Sequence, residues 1–227
     1  MTRVLVLGGS ALTDSVGCAL DAAGHTVSVY WSRAPISDAV PTTMNLRASL
    51  STADLLVDTT HPFDAHLRGI ALSLAPDLTC VRVGRSAWQP MAQDQWTEVN
   101  TLAQAVAALP SGARVFAASG RESAEVLVHH DGPVFLRQLH HHDDPPPPGC
   151  TYVFGDGPFE VDNEMALFRD LRINVLLARN MGGKRGFPKL AAARALGLPV
   201  VMIAPPETGI PVHLPDADAL LDWMGTQ

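Results

Sequence analysis

The sequence predicts an α/β protein with parallel sheets. Short apolar segments such as Val4–Leu7 alternate along the chain with longer segments of helical periodicity. A strand that is apolar on both faces is typical of a parallel sheet covered by helices on each side. The alternation restarts after Trp96. We therefore expect two Rossmann-like lobes with a cleft between them, an N-terminal domain over residues 1–92 and a C-terminal α/β domain over residues 93–227.

The first lobe is predicted to begin with a strand over 4–7, followed by a turn at Gly8–Ser10 and a helix. Gly24 follows this helix at a position typical of a C-cap. Pro62 is typical of the first residue of a helix, which we expect to reach Leu74. Further strands are predicted over 26–30, 54–58 and 79–83.

The second lobe repeats this pattern with a basic loop near its end. Residues 140–149 contain four consecutive prolines, which exclude a helix or a central strand because proline lacks an N–H group. Residues 174–203 predict a strand, a glycine-rich loop, a helix and a strand. Further strands are expected over 113–118 and 134–139, and helices over 102–109, 161–171 and 216–224.

Composition argues against several classes of function. Among 227 residues, 47% are hydrophobic and 17% charged, which favours a full core over disorder. The net charge of −7 argues against a nucleic-acid binder, which needs a broad basic face. No apolar run reaches the roughly 20 residues of a membrane span, and the N-terminus lacks a signal-peptide pattern. Three distant cysteines favour no disulfide framework or zinc site, so we expect a cytoplasmic protein.

The loop and helix after residue 178 carry an unusual concentration of positive charge for an acidic chain. This stretch contains five cations and no acid, and it includes both lysines of the protein. Cations and glycines between a strand and a helix are typical of an anion site, because backbone N–H groups and the helix dipole favour negative charge there. The cations are Arg179, Lys184, Arg185, Lys189 and Arg194.

Two loops of the first lobe are candidates for binding a dinucleotide. The turn that begins at Gly8 lies where a Rossmann phosphate loop would lie, although it lacks the full glycine spacing and is open to interpretation as a simple tight turn. Arg33 follows the second strand, where an arginine suits a 2′-phosphate and favours NADP(H). The alternative for Arg33 is an ordinary exposed arginine.

Other strand ends offer further candidates. His61 is able to donate to a ligand oxygen or to transfer a proton, or it is an ordinary loop residue beside a helix cap at Asp58 or Thr60. Gly120 and Arg121 follow another strand, where small residues admit a cofactor and the arginine suits a phosphate or carboxylate. The histidines at 140–142 lack convergent metal-ligand spacing, so no metal site is predicted.

Taken together, several segments resemble the precorrin-6A reductase family of corrin biosynthesis, and they span nearly the whole chain. They are Leu-Gly-Gly-Ser at 7–10, Asp-Thr-Thr-His-Pro-Phe at 58–63, Arg-Val-Gly-Arg-Ser-Ala-Trp at 82–88, Gly-Pro-Phe-Glu at 157–160, Arg-Asn-Met-Gly-Gly at 179–183, and the run from Lys189 to Val200. The resemblance implies NADPH-dependent reduction of a tetrapyrrole polycarboxylate, precorrin-6A, to precorrin-6B. It also leaves room for contacts with other enzymes of the corrin pathway.

The resemblance and the loop chemistry together assign candidate roles. Asp14, Lys184 and His61 are the candidate catalytic residues, because an acid or ion partner near the ring nitrogens would assist hydride transfer. The alternatives are that Asp14 is an N-cap acid of the first helix and that Lys184 binds a substrate carboxylate. The predicted cofactor contacts are Gly8, Gly9, Ser10, Ala11, Leu12, Arg33, Thr60, Gly120 and Arg121. The predicted substrate contacts, which would hold carboxylates, are Arg179, Asn180, Gly182, Gly183, Arg185 and Lys189.

Two other functions remain compatible with two such lobes. A nucleotide-sugar transferase would bind a nucleoside diphosphate and no NADPH. A two-lobed binding protein for small anions would have no enzymatic activity, although the absence of an export pattern weakens this alternative.

Overall fold

The computed structural model of the chain describes residues 1–31 and 44–227. Two compact units are present: unit 1 is formed by Met1–Ser86 together with Pro206–Gln227, and unit 2 by Ala87–Pro205. The sequence-based division after residue 92 differs from these units. The C-terminal segment returns to the first sheet, where its short strand finds a partner edge, and this return has no signal in the local sequence pattern.

The described elements follow one another in strict alternation over much of the chain. In order they are β1 (Arg3–Gly8), α1 (Thr13–Ala22), β2 (Thr26–Trp31), α2 (Leu46–Thr52), β3 (Leu55–Asp58), α3 (Ala65–Leu74), β4 (Cys80–Val83), β5 (Trp96–Val99), α4 (Leu102–Ala108), β6 (Val115–Ala118), a 3-10 turn (Arg121–Ser123), α5 (Ala124–Leu127), β7 (Val134–Gln138), β8 (Cys150–Phe154), α6 (Val161–Asp170), β9 (Val175–Arg179), α7 (Pro188–Ala195), β10 (Val200–Ile203), β11 (Val212–Leu214) and α8 (Ala217–Met224).

The described part of unit 1 contains a parallel sheet in the order β11-β4-β3-β1-β2. Side chains of β1 alternate between its faces. Val4 and Val6 pack in a cluster with Leu220 of α8, whereas Leu5 and Leu7 pack with residues of α2 and α3. The interior strand β1 is therefore buried on both faces, as its unbroken apolar sequence predicts.

The sheet of unit 2 is also parallel and has the order β5-β10-β9-β6-β7-β8 among the described residues. One face is covered by α6 and α7, whose residues Phe168 and Leu190 pack against Phe116 and Leu176 of the sheet. The predicted α/β class with two parallel sheets is confirmed. The sequence patterns did not identify β5, β8, β11 or α2, which are short or lie at sheet edges.

The helix predicted to begin at Pro62 begins instead at Ala65. Residues His61–Asp64 form a turn closed by a hydrogen bond from Asp64 N to His61 O of 2.8 Å. The Asp64 carboxylate then accepts from Leu67 N at 3.5 Å and caps the helix. Proline is equally suited to the second position of such a turn, so it did not identify the first helical residue here.

Each sheet contains a point at which successive strands are added on opposite sides. In unit 1 this switch point lies between β1 and β3, and in unit 2 between β6 and β9. Ligands of open parallel sheets bind outside the carboxyl ends of the strands at such points. The loops at 8–14 and 59–64 and those at 119–123 and 180–187 are therefore the regions to inspect. Within the described ranges, no helix is long and apolar enough to cross a lipid bilayer.

The C-terminal helix contributes directly to the core of unit 1, which is testable by substitution. Leu220 is fully buried against β-strand valines, so Leu220→Ala is expected to lower the free energy of unfolding by about 2–5 kcal/mol in urea titrations. Asp222→Asn, on the exposed side of the same helix, serves as the control and is expected to change it by less than about 0.5 kcal/mol. Equal effects of the two substitutions would contradict the packing of α8 on this sheet.

Candidate active site

The loop after β1 is built around two glycines in tight surroundings. A Cβ atom on Gly8 would lie 2.8 Å from the indole of Trp31, and one on Gly9 would lie 3.2 Å from both Thr60 Cα and His61 N. Gly8 thus accommodates the Trp31 indole, and Gly9 allows the two loops at the switch point of unit 1 to approach each other closely. The position and the small residues fit a dinucleotide passing close to the backbone.

Three amides of this loop donate to side chains of the loop itself and of the helix that follows it. Gly9 N and Ser10 N donate to Thr13 Oγ1 at 3.2 and 3.4 Å, and Leu12 N donates to Ser10 Oγ at 3.3 Å. A free phosphate loop would present such N–H groups to its ligand. Phosphate binding by Gly8–Leu12 would therefore share or replace these long hydrogen bonds.

Thr13 also ties the loop to the neighbouring strand. Its hydroxyl lies 2.9 Å from Thr59 Oγ1, and Thr59 Oγ1 donates to Leu7 O at 2.7 Å. Both threonines are fully buried. The hydroxyl network fixes the ends of β1 and β3 together at the switch point of unit 1.

Asp14 lies in the first turn of α1 and is half-buried. Its Oδ1 is buried and finds no hydrogen-bond partner in the described part of the chain. A buried carboxylate oxygen without a donor is costly, and such groups are commonly matched by a ligand or water. The structure therefore leaves Asp14 available for the catalytic role that the sequence predicts.

His61 lies in the turn after β3, beside Gly9. Phe63 N donates to His61 Nδ1 at 3.2 Å, so a neutral imidazole carries its proton on Nε2. The predicted role of His61 as a donor would thus use Nε2. Thr60, predicted to contact the cofactor, is instead almost fully buried at 2% exposure.

An ion cluster of three buried residues next to this turn was not predicted from the sequence, which offered Asp58 only as an alternative helix cap. Asp58 Oδ2 accepts from Arg68 Nε at 2.7 Å and from Arg82 Nη1 at 2.5 Å. Burial raises the pKa of Asp58, but the two guanidinium groups and their hydrogen bonds hold it below its usual value. The sequence contained one sign of this cluster, because Arg82 is a charged residue within the short apolar strand β4.

At the switch point of unit 2, Gly120 adopts a left-handed conformation with φ of 90°. A Cβ there would lie 2.7 Å from Glu122, whose carboxylate forms an ion pair with Arg179. Arg121 pairs with Asp144 at 2.5 Å on the surface. The predicted cofactor residues Gly120 and Arg121 therefore lie on the same sheet edge as Arg179, which was predicted to bind substrate.

The side chain of Asn180 holds another part of unit 2. Its Oδ1 accepts from Trp88 N at 2.7 Å, and its Nδ2 donates to Trp88 O at 2.9 Å. The Trp88 indole in turn donates to Gly183 O at 2.8 Å. These bonds attach the segment around Trp88 to the Gly182-Gly183 loop, whose glycines have φ of 64° and 77°.

The five cations of the basic stretch have different surroundings. Arg194 forms a bidentate pair with Asp94, and Lys189 Nζ donates to Gly186 O at 2.5 Å while lying 5.1 Å from the Trp88 ring centroid. With Arg179 paired to Glu122, three of them have partners within unit 2. Lys184 and Arg185 are exposed and are the cations best placed to meet a carboxylate from solution.

Two further sequence-based expectations concern Arg33 and the histidines at 140–142. Arg33, expected at the cofactor 2′-phosphate, lies outside the described residues. His142 packs edge-on against Tyr152 and Phe154 at centroid distances of 4.9 and 5.3 Å. Among residues 1–31 and 44–227, no group of histidine, cysteine and acidic side chains is arranged to hold a metal ion.

Two parallel sheets with glycine loops at their switch points place the chain in the doubly wound α/β class, many of whose members bind nucleotides. A family model described as precorrin-6x reductase CbiJ/CobK matches residues 3–225. The chain belongs to this precorrin-6x reductase family. It is therefore an oxidoreductase, and the family indicates a nicotinamide cofactor.

Individual relatives agree with the family over their full length. A precorrin-6A reductase of Rhodococcus erythropolis is 34% identical over 244 residues, covering 100% of this chain and 98% of the relative. One of Rhodobacter capsulatus is 33% identical over 257 residues, covering 99% and 96%. A solved structure of CobK precorrin-6A reductase superposes with a TM-score of 0.79 at 30% identity, covering 100% of this chain and 97% of that one. These matches favour a reductase over a sugar transferase or an anion-binding protein.

The partly buried environment of Lys189 predicts a pH-dependent contribution to stability. Burial lowers the pKa of Lys189 from 10.5 to about 8. Between about pH 8 and pH 10.5 the folded protein has lost a proton from Lys189 that the unfolded chain retains. The free energy of unfolding therefore rises with pH in this range. Relative to Lys189→Met, we expect the wild type to gain stability from about pH 8 to pH 10.5 in urea titrations.

Arg185→Met is the matched control for this measurement, because an arginine keeps its charge throughout that pH range. The stability difference between wild type and Arg185→Met should therefore not change with pH. Parallel pH curves for the wild type and Lys189→Met would contradict a buried, weakly basic amine at this position.

Proposed function

We propose that this chain reduces precorrin-6A to precorrin-6B with NADPH. Family membership across residues 3–225 carries the proposal, and the glycine loop at the unit 1 switch point supports a dinucleotide there. When bound, the reduced nicotinamide would supply the hydride. One proton completes the reaction, which converts precorrin-6A, NADPH and H⁺ into precorrin-6B and NADP⁺.

The cofactor is proposed to lie along residues 8–12 of unit 1. Gly8 and Gly9 leave no space for side chains and bring the backbone within reach of a ligand. Arg33 is proposed to bind the 2′-phosphate, which would select NADPH over NADH. Thr60 would support this site through its buried contacts, since it has little exposed surface. Gly120 and Arg121, on unit 2, remain proposed cofactor contacts.

The substrate carboxylates are proposed to bind to unit 2. Lys184 and Arg185 are exposed on the loop that follows Gly182-Gly183, and a polycarboxylate would be attracted to them despite the negative charge of the whole protein. Arg179 would contribute from the end of β9. The proposed roles of Asn180 and Lys189 in substrate binding become indirect, because their hydrogen bonds hold Trp88 and Gly186.

Asp14 and Lys184 are the proposed catalytic groups, with His61 as the third. The Oδ1 atom of Asp14, which has no hydrogen-bond partner among residues 1–31 and 44–227, would pair with a protonated imine nitrogen of the macrocycle. Lys184, as an exposed ammonium group, is able to donate a proton where negative charge develops on nitrogen. His61 would act through its Nε2–H group.

The reaction is tested with purified protein and precorrin-6A under reducing conditions. We expect oxidation of NADPH, followed by its absorbance, together with a product that mass spectrometry shows to have gained two hydrogen atoms. NADH should support a much slower reaction. A protein that binds neither nicotinamide nucleotide by fluorescence titration, and leaves precorrin-6A unchanged, would overturn the proposal.

The catalytic assignment is tested by Asp14→Asn and Lys184→Ala. Each is expected to reduce kcat roughly 100-fold, in line with the loss of acid–base or ionic assistance, with the Kd for NADPH changed less than about twofold. Asp21→Asn, an exposed aspartate on the same helix as Asp14, is the control and should retain wild-type kcat. Near-normal turnover in both test variants would rule out these roles.

A further inference from the structure

The cluster of Asp58, Arg68 and Arg82 lies directly below the turn that contacts Gly9. All three side chains are almost completely buried, with exposures of 0%, 2% and 4%. Asp58 ends β3, Arg82 lies opposite it on β4, and Arg68 reaches back from the first turns of α3. The cluster thus joins three elements at the carboxyl edge of the unit 1 sheet.

The two arginines share a pattern of contacts. Each uses one guanidinium nitrogen to bind Asp58 and a second to bind Thr60. Arg68 Nη2 donates to Thr60 Oγ1 at 3.2 Å, and Arg82 Nη2 donates to Thr60 O at 3.3 Å. Asp58 completes the arrangement, because its Oδ1 accepts from Thr60 N at 2.9 Å. The amide, carbonyl and hydroxyl of Thr60 are therefore all held by the cluster.

Burying these charged groups has a high desolvation cost, which a purely structural element does not require. Among the described residues, both guanidinium groups form their ion pairs with the one carboxylate of Asp58, so these three groups together carry a net positive charge. Arg68 Nη1 is buried and has no hydrogen-bond partner within the described ranges. Buried ion clusters are poor contributors to stability, since apolar residues of similar volume often serve as well. Stability alone therefore does not account for the cluster.

What the cluster does fix is the position of the Thr60–His61 backbone. Thr60 Cα and His61 N pack closely against Gly9, since each would lie 3.2 Å from a Cβ built there. A shift of this turn by about 1 Å would change its packing against Gly9, and displacements of that size are enough to change binding or turnover strongly.

We propose that Arg68 and Arg82 are positioning residues, which hold the Thr60–His61 turn in the conformation that admits the nicotinamide cofactor beside Gly9. This inference rests on the proposed binding of NADPH at the switch point of unit 1. The second nitrogen of each guanidinium is the decisive feature, because it connects the charge on Asp58 to the backbone and hydroxyl of Thr60.

Arginine-to-lysine substitutions separate positioning from charge. Arg68→Lys and Arg82→Lys each keep a cation for Asp58, but the single ammonium nitrogen of a lysine cannot occupy both positions that the two guanidinium nitrogens take at Asp58 and Thr60. Arg3→Lys is the matched control, because Arg3 also uses two nitrogens on a carboxylate, that of Asp54, on the exposed side of the same unit. NADPH binding is measured by nicotinamide fluorescence at a temperature below the thermal unfolding midpoint of each variant.

We expect Kd for NADPH to rise about 10-fold or more in Arg68→Lys and Arg82→Lys and to stay within about twofold in Arg3→Lys. Folded lysine variants that bind NADPH as tightly as the wild type, with only a lower unfolding midpoint, would show a merely structural role and overturn the inference. Failure of the wild type to bind NADPH would instead reject the proposed cofactor site.

Hydrogen exchange on the wild type gives a second test that needs no substitution. A turn held by the cluster predicts slow exchange of the Thr60 amide in the protein without nucleotide, and little further slowing when NADPH is added. An amide that exchanges rapidly and becomes protected only with NADPH would show that the ligand, rather than the arginines, orders the turn. That result would overturn the inference even if the lysine variants do not fold.

Discussion

The parallel pairing of β1 with β3 is the interaction on which the unit 1 site depends. It sets Leu7 beside Asp58, so both strands end at the same level and their two loops meet. Thr59 then reaches the carbonyl of Leu7, and Gly9 faces the turn at 60–61. A shift of β3 by one residue would turn Asp58 to the opposite face of the sheet and separate it from Arg82. Sheet register therefore determines where the glycine loop and the ionic cluster lie.

Burial determines which cations of this acidic protein remain available to a ligand. Arg68 and Arg82 are enclosed in unit 1, whereas Arg194, Lys189 and Arg179 are engaged within unit 2. The exposed pair, Lys184 and Arg185, lies between the left-handed glycines and α7. The cations of the buried cluster and of the basic stretch thus serve in two ways: the paired ones hold loops in place, and Lys184 and Arg185 face solvent.

The sequence was sufficient to predict the strands of unit 1 up to β4 within one residue at each end, because unbroken apolar runs mark buried parallel strands. It also located the switch-point loops, since glycine and polar residues follow those strands. The side-chain partners were not predictable, because they lie far apart in the chain. Asn180 meets Trp88 across 92 residues, and Arg194 meets Asp94 across 100. The return of residues 206–227 escaped prediction for the same reason: the pairing of β11 with β4 leaves no local pattern.

That return has a consequence for the order of folding during synthesis. Unit 2 is continuous, so the ribosome delivers its whole sheet, β5 to β10, before β11 emerges. Unit 1 is interrupted, and its sheet gains the β11 edge only when His213 pairs beside Arg82. Until then the edge of β4 is open and the Leu220 site in the core is empty. The N-terminal segment of the nascent chain therefore completes its fold last, and its exposed edge makes this interval the one most open to misassociation.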